Sequence, residues 1–446
     1  MARDRVAGVV AAGSVRASTE LLVGGLAAAP PAALYVHVPF CVSICPYCDF
    51  VVYAGAAARG PRNRVDVFLE ALETEIGLRA DAADEAFGAP GAPSPKPDET
   101  STDEAATRRP LDTLYIGGGT PSLVPSEAIA RLVELVRRRF GLAADAEVTL
   151  EANPGPDERG DAAALVRAGI GRLSIGAQSL DSAELRRLGR RHRSEDVAEA
   201  VAAARDAGIG SISLDLLYDV PSGSLETWAR SLEGALSLAP DHLSLYALTL
   251  DDPDAEGLTG PVGDHLPTTS GARRWRAAAR IDQDDDLAAT QYQHAVDRLA
   301  ASGWRGYEIS NWAQPGHESR HNLAYWERRS YEAVGPGAHA FDGVTRRWSA
   351  ARLDGYIAAL TPPGGAPRTL PPGGSETLDA AMAAAETVVL GLRTDRGVPT
   401  TARDEPPLAE AFDWALDAGL LTTVDDRIVL TTRGRLLSNE LFSRLV

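Results

Sequence analysis

Short apolar runs alternate with longer amphipathic segments between residues 34 and 250 of the chain. Runs rich in Val, Ile, Leu and Tyr, bounded by Gly, Pro or polar residues, predict β-strands. Six strands are predicted in this way, at 34–38, 113–117, 147–152, 172–177, 211–218 and 242–248. Between them, apolar residues recur at helical spacing, which predicts helices over 65–79, 125–140, 195–207 and 224–238.

This alternation of strands and helices predicts the fold class. Strands joined in series through helices are parallel, with right-handed crossovers. Six such units fall short of the eight that close a full barrel. We therefore predict an α/β fold built on a partial (β/α)6 barrel over residues 34–250. A flexible extension, residues 1–33, precedes it, and an insert at 88–110, rich in Pro, Ser, Thr and charge, is predicted to be disordered.

The pattern changes after residue 250. Residues 251–271 resemble a loop, and a helix is predicted over 286–302 before a stretch rich in aromatic residues and glycine. We predict that residues 251–360 form an additional α+β segment. A Pro/Gly-rich linker follows at 361–374. The tail, 375–446, is predicted to be a small winged-helix-like domain, with a plain helical cap as the alternative.

Charge and composition exclude some classes of function. The chain has 446 residues, with 44 Lys and Arg against 62 Asp and Glu, which gives a net charge of −18. Such an acidic chain is not expected to bind nucleic acid through a broad basic face, or to attach electrostatically to anionic lipid. We expect neither an integral membrane segment nor a signal peptide. The use of cysteine, with three residues close together and none elsewhere, is typical of a protein in the reducing cytoplasm.

The cysteines carry the first candidate chemistry. The chain has three, Cys41, Cys45 and Cys48, in a C-x3-C-x2-C pattern directly after the first predicted strand. Four thiolates saturate a [4Fe–4S] cluster, so three leave one iron open to a small molecule. A structural zinc site is less favoured because it requires four ligands and the chain has no fourth cysteine. Purely structural cysteines remain a third interpretation.

Further candidate residues follow later strands. The GGGTPS segment after the second strand includes Gly118, Gly119 and Thr120, and such a loop lets a ligand approach the backbone closely. Polar residues near the ends of the next strands are candidates because active sites of barrels form at that edge. Each is either a ligand contact or part of an internal salt bridge. These residues are Glu151, Gln178, Arg190 and Asp215.

The cysteine spacing, together with the glycine loop, resembles the radical S-adenosylmethionine (SAM) superfamily. The resemblance implies a [4Fe–4S] cluster whose open iron chelates SAM, and an electron that cleaves SAM to a 5′-deoxyadenosyl radical. It implies that Tyr47 lies beside the adenine and that the glycine loop contacts the SAM amino group. The complete set of SAM contacts that it implies is Tyr35, Tyr47, Gly118, Gly119, Thr120, Glu151, Gln178, Arg190, Asp215 and Ala247.

Several ordered motifs narrow the resemblance to one branch. LYVHVPFC…CPYCDF, GGGTPS, IGAQSL, YALTL and GPGAH resemble the branch that contains oxygen-independent coproporphyrinogen III oxidases and the HemW-type heme chaperones. The oxidases carry another cysteine two positions after the third, where this chain has Phe50. The chaperones carry an HNxxYW motif, which is His321-Asn322-Leu323-Ala324-Tyr325-Trp326 here. The resemblance implies heme binding by His321, Asn322, Tyr325 and Trp326, and it leaves open whether His321 ligates the iron.

The favoured hypothesis is a heme chaperone that binds a cluster, SAM and heme and delivers heme to acceptor proteins. One alternative is a coproporphyrinogen III oxidase that decarboxylates propionates, and another is a radical SAM methyltransferase acting on a planar substrate. Product formation from coproporphyrinogen, or a methylated product, would distinguish them. The resemblance also implies respiratory heme acceptors, an electron donor for the cluster, transient membrane association and homodimers in some members.

Some motifs remain ambiguous. Glu308, Asn311 and Trp312 either shape the same pocket as the histidine motif or pack a domain seam. His339 of GPGAH is a candidate for approaching the heme or the cluster, whereas its glycines favour a tight turn. The loop after the fifth strand has Asp219 where relatives usually have glycine, so its shape is open to question.

Overall fold

The computed structural model describes residues 26–55, 64–91, 107–250, 253–404 and 406–445. The strands in this part of the chain are β1 (Ala33–Val38), β2 (Phe40–Cys41), β3 (Tyr53–Ala54), β4 (Leu111–Gly118), β5 (Leu142–Ala152), β6 (Arg172–Gln178), β7 (Ser211–Tyr218), β8 (His242–Ala247), β9 (Arg305–Gly306), β10 (Asn311–Ala313), β11 (Tyr331–Val334), β12 (His339–Phe341), β13 (Thr345–Ser349), β14 (Gly373–Thr377), β15 (Val398–Pro399), β16 (Leu421–Val424) and β17 (Arg427–Leu430).

The α-helices in the same ranges are α1 (Arg64–Phe87), α2 (Ser126–Phe140), α3 (Ala162–Arg167), α4 (Ser182–Arg187), α5 (Ser194–Ala207), α6 (Leu225–Ser237), α7 (Ser270–Asp282), α8 (Asp285–Ala301), α9 (Arg320–Trp326), α10 (Leu353–Leu360), α11 (Ala380–Leu392), α12 (Pro406–Asp417), α13 (Thr432–Leu436) and α14 (Ser438–Leu445). Among the described helices, none combines the length and apolar character that crossing a membrane requires.

Local sequence signals explain where the crossover helices begin and end. Helix α6 starts with a reciprocal cap, in which Ser224 Oγ accepts from the Thr227 amide and Thr227 Oγ1 accepts from the Ser224 amide. Helix α5 ends at Gly208, whose φ of 91° lies in the left-handed region that glycine tolerates best. These signals place the helices within a residue or two of the predicted bounds, except that α1 extends to Phe87.

The main sheet has twelve strands in the order β14-β13-β12-β11-β1-β4-β5-β6-β7-β8-β10-β9. The six predicted strands are confirmed as β1 and β4–β8, and neighbouring members of this set pair in parallel. A seventh parallel strand, β11, pairs with the other side of β1 and adds to the six predicted units. The remaining pairings in this sheet are antiparallel.

Residues 251–360 therefore extend both edges of the barrel sheet. Strands β9 and β10 continue it beyond β8, whereas β11 to β13 continue it beyond β1. A helix that the sequence pattern did not predict, α7, lies within this segment. The α+β character expected for the segment is present, but the segment is part of the barrel wall.

Two predicted flexible regions are smaller than expected. Residues preceding β1 are ordered, since the Ala29 amide donates to Asp342 O and the Ala32 amide donates to Ser330 O. In the insert, Arg108 is buried and donates to the carbonyls of Phe140 and Arg139. The flanks of the predicted insert thus pack on the barrel. Residues 1–25 and 92–106 lie outside the described residues, so the predictions of flexibility and disorder stay predictions there.

The C-terminal region has a hydrophobic core of its own. Strands β15, β17 and β16 form a three-stranded antiparallel sheet, and helices α11 to α14 surround it. Strand β14 pairs with β13 in the main sheet, so this domain begins at about α11 and not at residue 375. An ion pair between Arg305 and Asp395, 2.6 Å long, links it to the barrel. The comparison with winged-helix domains stays a prediction.

Candidate cluster and cofactor site

A cavity of about 640 Å³ opens at the carboxyl edge of the parallel strands. Its wall combines the cysteine loop, strands β4 to β8 and residues of the C-terminal domain. This is the edge at which barrel active sites form, as the sequence predicted. The structure therefore brings the three cysteines and the polar residues of later strands to one chamber.

The lumen of the barrel is polar over its whole depth. Strand residues alternate between the two faces of a sheet, and here the inward positions are polar while the outward ones are apolar and packed under the helices. A closed barrel normally fills this space with branched apolar side chains. The inward residues that line the cavity include Tyr115, Thr149, Glu151, Arg172, Ser174, Ser213, Asp215, His242 and Ser244.

The cysteine loop carries three thiols that line the cavity. Burial raises the pKa of the Cys41 thiol to about 11 and that of Cys48 to about 12, with smaller influences from their neighbours. Two donors compensate thiolate charge, because Thr120 Oγ1 lies 3.5 Å from Cys41 Sγ and Arg190 Nη1 lies 3.6 Å from Cys45 Sγ. Thiolate ligands with nearby donors fit an iron–sulfur cluster, whose irons hold the sulfurs deprotonated.

Arg276 fixes the same loop from behind and was not predicted as a site residue. Its guanidinium is buried and donates to Pro46 O at 3.1 Å and to Cys48 O at 2.9 Å. The residue lies on α7, the helix that the pattern analysis missed. Because it binds backbone carbonyls, no sequence motif marks it.

The glycine loop is shaped by close packing. A Cβ at Gly118, where φ is 110°, would lie 2.5 Å from the His37 ring. A Cβ at Gly119 would lie 2.6 Å from Phe40 O. Both glycines also line the cavity, so the loop is held against β1 and β2 while its other side faces the chamber. The sequence left a ligand-binding loop or a tight turn as interpretations, and the protein's own packing also requires glycine here.

Two buried carboxyl groups face the cavity. Glu151 accepts from the Tyr115 hydroxyl and from the Gly118 amide, each at 2.8 Å. Burial is the main reason that its pKa rises to about 7. Asp215 accepts from the Ser174 hydroxyl at 3.1 Å, and burial likewise raises its pKa. A cationic or hydrogen-bond-donating ligand would therefore stabilise the charged form of both carboxyl groups.

Arg190 and Gln178 occupy the rim as predicted, together with Asn153, which was not predicted. Arg190 Nη2 donates to Asn153 Oδ1 at 2.6 Å and to Gly176 O at 2.9 Å. Its Nε is buried without a hydrogen-bond partner in the described part of the chain. Gln178 adopts a left-handed φ of 65° next to a register shift in β6. Such backbone strain is typical of ligand-binding positions.

Two of the predicted SAM contacts lie behind the cavity wall. The Tyr35 hydroxyl bonds to His37 Nδ1 at 3.0 Å, and burial raises its pKa well above the usual range. Thr120 is buried, donates to Cys41 and accepts from Asn153 Nδ2 at 3.0 Å. Neither residue lines the cavity in the described part of the chain, so their direct contact with a ligand stays a prediction. Tyr47 and Ala247 do line the cavity.

Comparisons with known proteins agree with this geometry. Residues 35–233 match the model of the Radical SAM superfamily. The heme chaperone HemW of Mycobacterium tuberculosis is 37% identical over 424 residues, which cover 95% of this chain and 97% of that protein. HemW of Bacillus subtilis is 30% identical over 422 residues, covering 92% and 97%. The chain belongs to the HemW family of the radical SAM superfamily.

A solved relative supports the fold assignment. The coproporphyrinogen III oxidase HemN of Escherichia coli superposes with a TM-score of 0.72, at 22% identity, over 96% of this chain and 93% of that chain. At this identity the likeness concerns the fold alone. The α/β fold class that we predicted is thereby confirmed, and the cofactors of the superfamily are a [4Fe–4S] cluster and SAM.

The HNxxYW motif of this HemW-family chain forms α9 and closes the base of the barrel. His321 is 1% exposed, and both of its ring nitrogens are occupied. Nδ1 bonds to Thr113 Oγ1 and Nε2 to the Tyr325 hydroxyl, each at 2.7 Å. Burial lowers the pKa of His321 to about 3, so the ring is neutral. The resemblance left open whether this imidazole ligates heme iron, and ligation would require one of these two hydrogen bonds to break.

The other residues of the motif have separate environments. Asn322 lines the cavity. Tyr325 packs edge-on against Tyr331 with the ring centroids 4.6 Å apart. Trp326 lies under the Arg393 guanidinium at 4.4 Å. The motif is therefore mainly a packing element, from which only Asn322 reaches the chamber.

The structure also shows where the motifs with ambiguous sequence interpretations lie. Glu308 is buried in the seam with the C-terminal domain, and Arg435 donates to its carbonyl at 3.5 Å. The GPGAH glycines adopt left-handed φ values of 107° and 75°, which confirms the turn. Asp219 replaces glycine with a φ of 58°, and its carboxylate accepts from Gln283 Nε2 at 2.9 Å. The loop around Asp219 therefore keeps a backbone shape that suits glycine.

Proposed function

We propose that this protein is a heme chaperone, which binds a [4Fe–4S] cluster, SAM and heme and delivers heme to acceptor proteins. The observation that carries the proposal is the similarity to HemW over nearly the whole chain. Phe50 supports it, because the oxidase pattern has a cysteine at that position. The polar cavity beside three cysteines supports the cofactor part of the proposal.

We assign the cluster to Cys41, Cys45 and Cys48. When bound, a cluster held by three thiolates supplies one iron that can chelate SAM and an electron for its reduction. The chain's own contribution is charge compensation at the sulfurs by Thr120 and Arg190. The hydrogen bond from Thr120 partly offsets the burial that raises the pKa of the Cys41 thiol.

SAM would lie between the cysteine loop and the carboxylates of β5 and β7. Glu151 accepts hydrogen bonds, so it is suited to a ligand ammonium group, and Asp215 is suited to ribose hydroxyls. Arg190 offers positive charge to a ligand carboxylate. Tyr47, which packs near Trp275 with the ring centroids 6.3 Å apart, offers an aromatic edge to the adenine.

The cavity is lined partly by large apolar side chains that are exposed. Four of its lining residues are unusually exposed for large hydrophobic side chains, among them Phe50 at 62% and Ile44 at 46%. Exposed apolar groups at a polar chamber indicate a binding surface. The other two are Tyr246 on β8 and Leu436 on the C-terminal domain. These side chains offer apolar contact to a ligand that enters the cavity.

The cellular setting is also part of the proposal. We propose a cytoplasmic protein that meets respiratory heme acceptors at the membrane, receives electrons from a separate donor and forms homodimers. These points rest on the resemblance to the family. A pull-down with a heme-free respiratory acceptor, together with light scattering for the dimer, would test them.

Heme transfer is the decisive experiment. Cluster-loaded protein is titrated anaerobically with ferric heme, followed by the Soret band, and then mixed with a heme-free acceptor. We expect saturable binding near one heme per chain and transfer to the acceptor. Protoporphyrinogen formed from coproporphyrinogen III and SAM, without heme binding, would instead support the oxidase alternative.

A further inference from the structure

If His321 is not available, the heme iron needs another ligand, and the histidines of the chain are few. The chain has eight, all of them within the described residues. Four of these are buried, and each has at least one ring nitrogen in a hydrogen bond within the protein: His37, His192, His242 and His321. His294 Nε2 is buried, and His317 Nδ1 bonds to Ser211 Oγ at 3.1 Å.

The remaining two histidines share one carboxylate at the surface. Asp264 Oδ1 accepts from His265 Nδ1 at 3.0 Å, and Asp264 Oδ2 accepts from His339 Nε2 at 2.8 Å. Their side chains are 29% and 47% exposed. With the carboxylate accepting, the protonated nitrogen of each ring points at Asp264 and the other nitrogen keeps its lone pair. Metal-ligating histidines in proteins show this same pairing with a carboxylate.

The imidazole rings of His265 and His339 differ in how readily they can bind heme iron. The free nitrogen of His265 is Nε2, which points away from its own backbone. The free nitrogen of His339 is Nδ1, which lies next to its backbone, and this ring stacks on Trp348 at 6.1 Å with an interplanar angle of 23°. His265 is therefore the better ligand, and His339 holds the second oxygen of Asp264 in place.

The surroundings suit a porphyrin. Trp348 Nε1 donates to Val262 O at 3.1 Å, and the Val262 side chain is 52% exposed beside this pair. The loop is firmly seated, since the Ala351 amide donates to Gly263 O at 2.9 Å. Gly337 approaches both Val51 and Asp264 O, which places the loop against the segment that follows the cysteines.

We propose that Asp264, His265 and His339 form a surface site in which His265 Nε2 ligates heme iron. This proposal rests on the proposed chaperone function and adds the ligand and its location. Val262 and Trp348 supply apolar contact for the porphyrin. The site lies outside the polar lumen, so heme and SAM would occupy different parts of the molecule.

Ferric heme titration of full-length, cluster-loaded variants tests this site. We expect His265→Ala to weaken heme binding about tenfold or more and to remove the histidine-ligand signature from the ferric heme EPR spectrum. Asp264→Asn should weaken binding less, because the ring remains but loses its orientation. His317→Ala, also a partly exposed histidine, is the matched control and should bind as the parent does.

Two further variants keep the test decisive. His265→Met should replace the imidazole signature by that of a thioether if His265 is the ligand. Added imidazole should restore the signature in His265→Ala. Unchanged affinity and spectrum in both His265 variants would overturn the site while leaving the chaperone function intact. If the parent protein itself binds no heme, it is the proposed function that fails.

Discussion

The carboxyl edge of the barrel and its base are built from the same kinds of residue, yet they differ in how their polar atoms are used. At the carboxyl edge, Glu151, Asp215 and Arg190 face a cavity, and the Nε of Arg190 has no partner among the described residues. At the base, His321 has both ring nitrogens bonded to neighbouring hydroxyls.

This difference indicates that the carboxyl edge binds ligands, whereas the base supports the fold. A polar group that faces a chamber can exchange its water for a ligand at little cost, whereas a buried group that is already paired must first break a good hydrogen bond. The carboxyl edge is therefore the place for ligands. The base holds β4 and α9 together, even though it carries the motif that the sequence associates with heme.

Removal of the cysteines should give the largest effect at the carboxyl edge. We expect Cys41→Ala, Cys45→Ala or Cys48→Ala each to lose most of the bound cluster, because each thiolate ligates a different iron. Iron and sulfide analysis after anaerobic purification measures the loss. Ser43→Ala, in the same loop and also lining the cavity, is the control. A full complement of iron in any cysteine variant would contradict the assignment.

Glu151 should make SAM binding depend on pH. Burial raises its pKa from 4.5 to about 7, so SAM affinity should increase as the pH rises through 7 and the carboxylate forms. The stability of the ligand-free protein should change in the opposite direction. The folded state holds the Glu151 proton more tightly than the unfolded state, so the free energy of unfolding should fall as the pH rises from 4.5 to 7.

Titration and scanning calorimetry over this pH range measure the SAM affinity and the free energy of unfolding, with Glu151→Gln as the comparison. We expect the variant to bind SAM roughly tenfold more weakly at pH 8, since a charge-assisted hydrogen bond is lost. It should also lack the pH dependence. A variant that keeps the pH profile of the parent would show that another group titrates.

At the base, His321→Phe should act on stability. The Thr113 and Tyr325 hydroxyls would lose their partners, which costs about 1–3 kcal/mol of unfolding free energy. Urea unfolding of the parent and the variant measures the difference. Heme should still bind with a histidine-ligand spectrum. Loss of that spectrum in a folded variant would mean that the base is a ligand site after all.

Asp219→Gly should give the smallest effect. Glycine suits the left-handed backbone but loses the carboxylate bond to Gln283, so the two contributions oppose and the net change should be about 1 kcal/mol or less. Asp219→Ala loses the bond and keeps the strained φ, so it should be less stable than the glycine variant. Thermal unfolding of the three proteins ranks them.

Sequence predicts those parts of the fold that depend on local pattern. The six strands have regular apolar runs, and because parallel strands end at one edge, Glu151 and Asp215 were expected together there. Strand β11 is only four residues long and is fixed by pairing with β1, about 300 positions earlier, so no local pattern marks it. The burial of His321 likewise depends on Thr113, 208 positions away.

Arg276 and Asp264 illustrate the same limit at the candidate sites. Arg276 binds backbone carbonyls, which leave no trace in composition. Asp264 gains its significance from His339, 75 positions later in the chain. Side chains that work through distant partners become visible only when the fold has placed those partners.

The polar lumen has a consequence for how this protein should respond to heat. The most extensive apolar packing lies on the outer side of the barrel strands, between sheet and helices. The inner side is held by hydrogen bonds around the cavity, so a ligand in the cavity would add contacts on this side. A ligand bound in the cavity should raise the free energy of unfolding by about 1.4 kcal/mol for each tenfold excess of its concentration over its dissociation constant. The melting temperature of this barrel should therefore report what it contains.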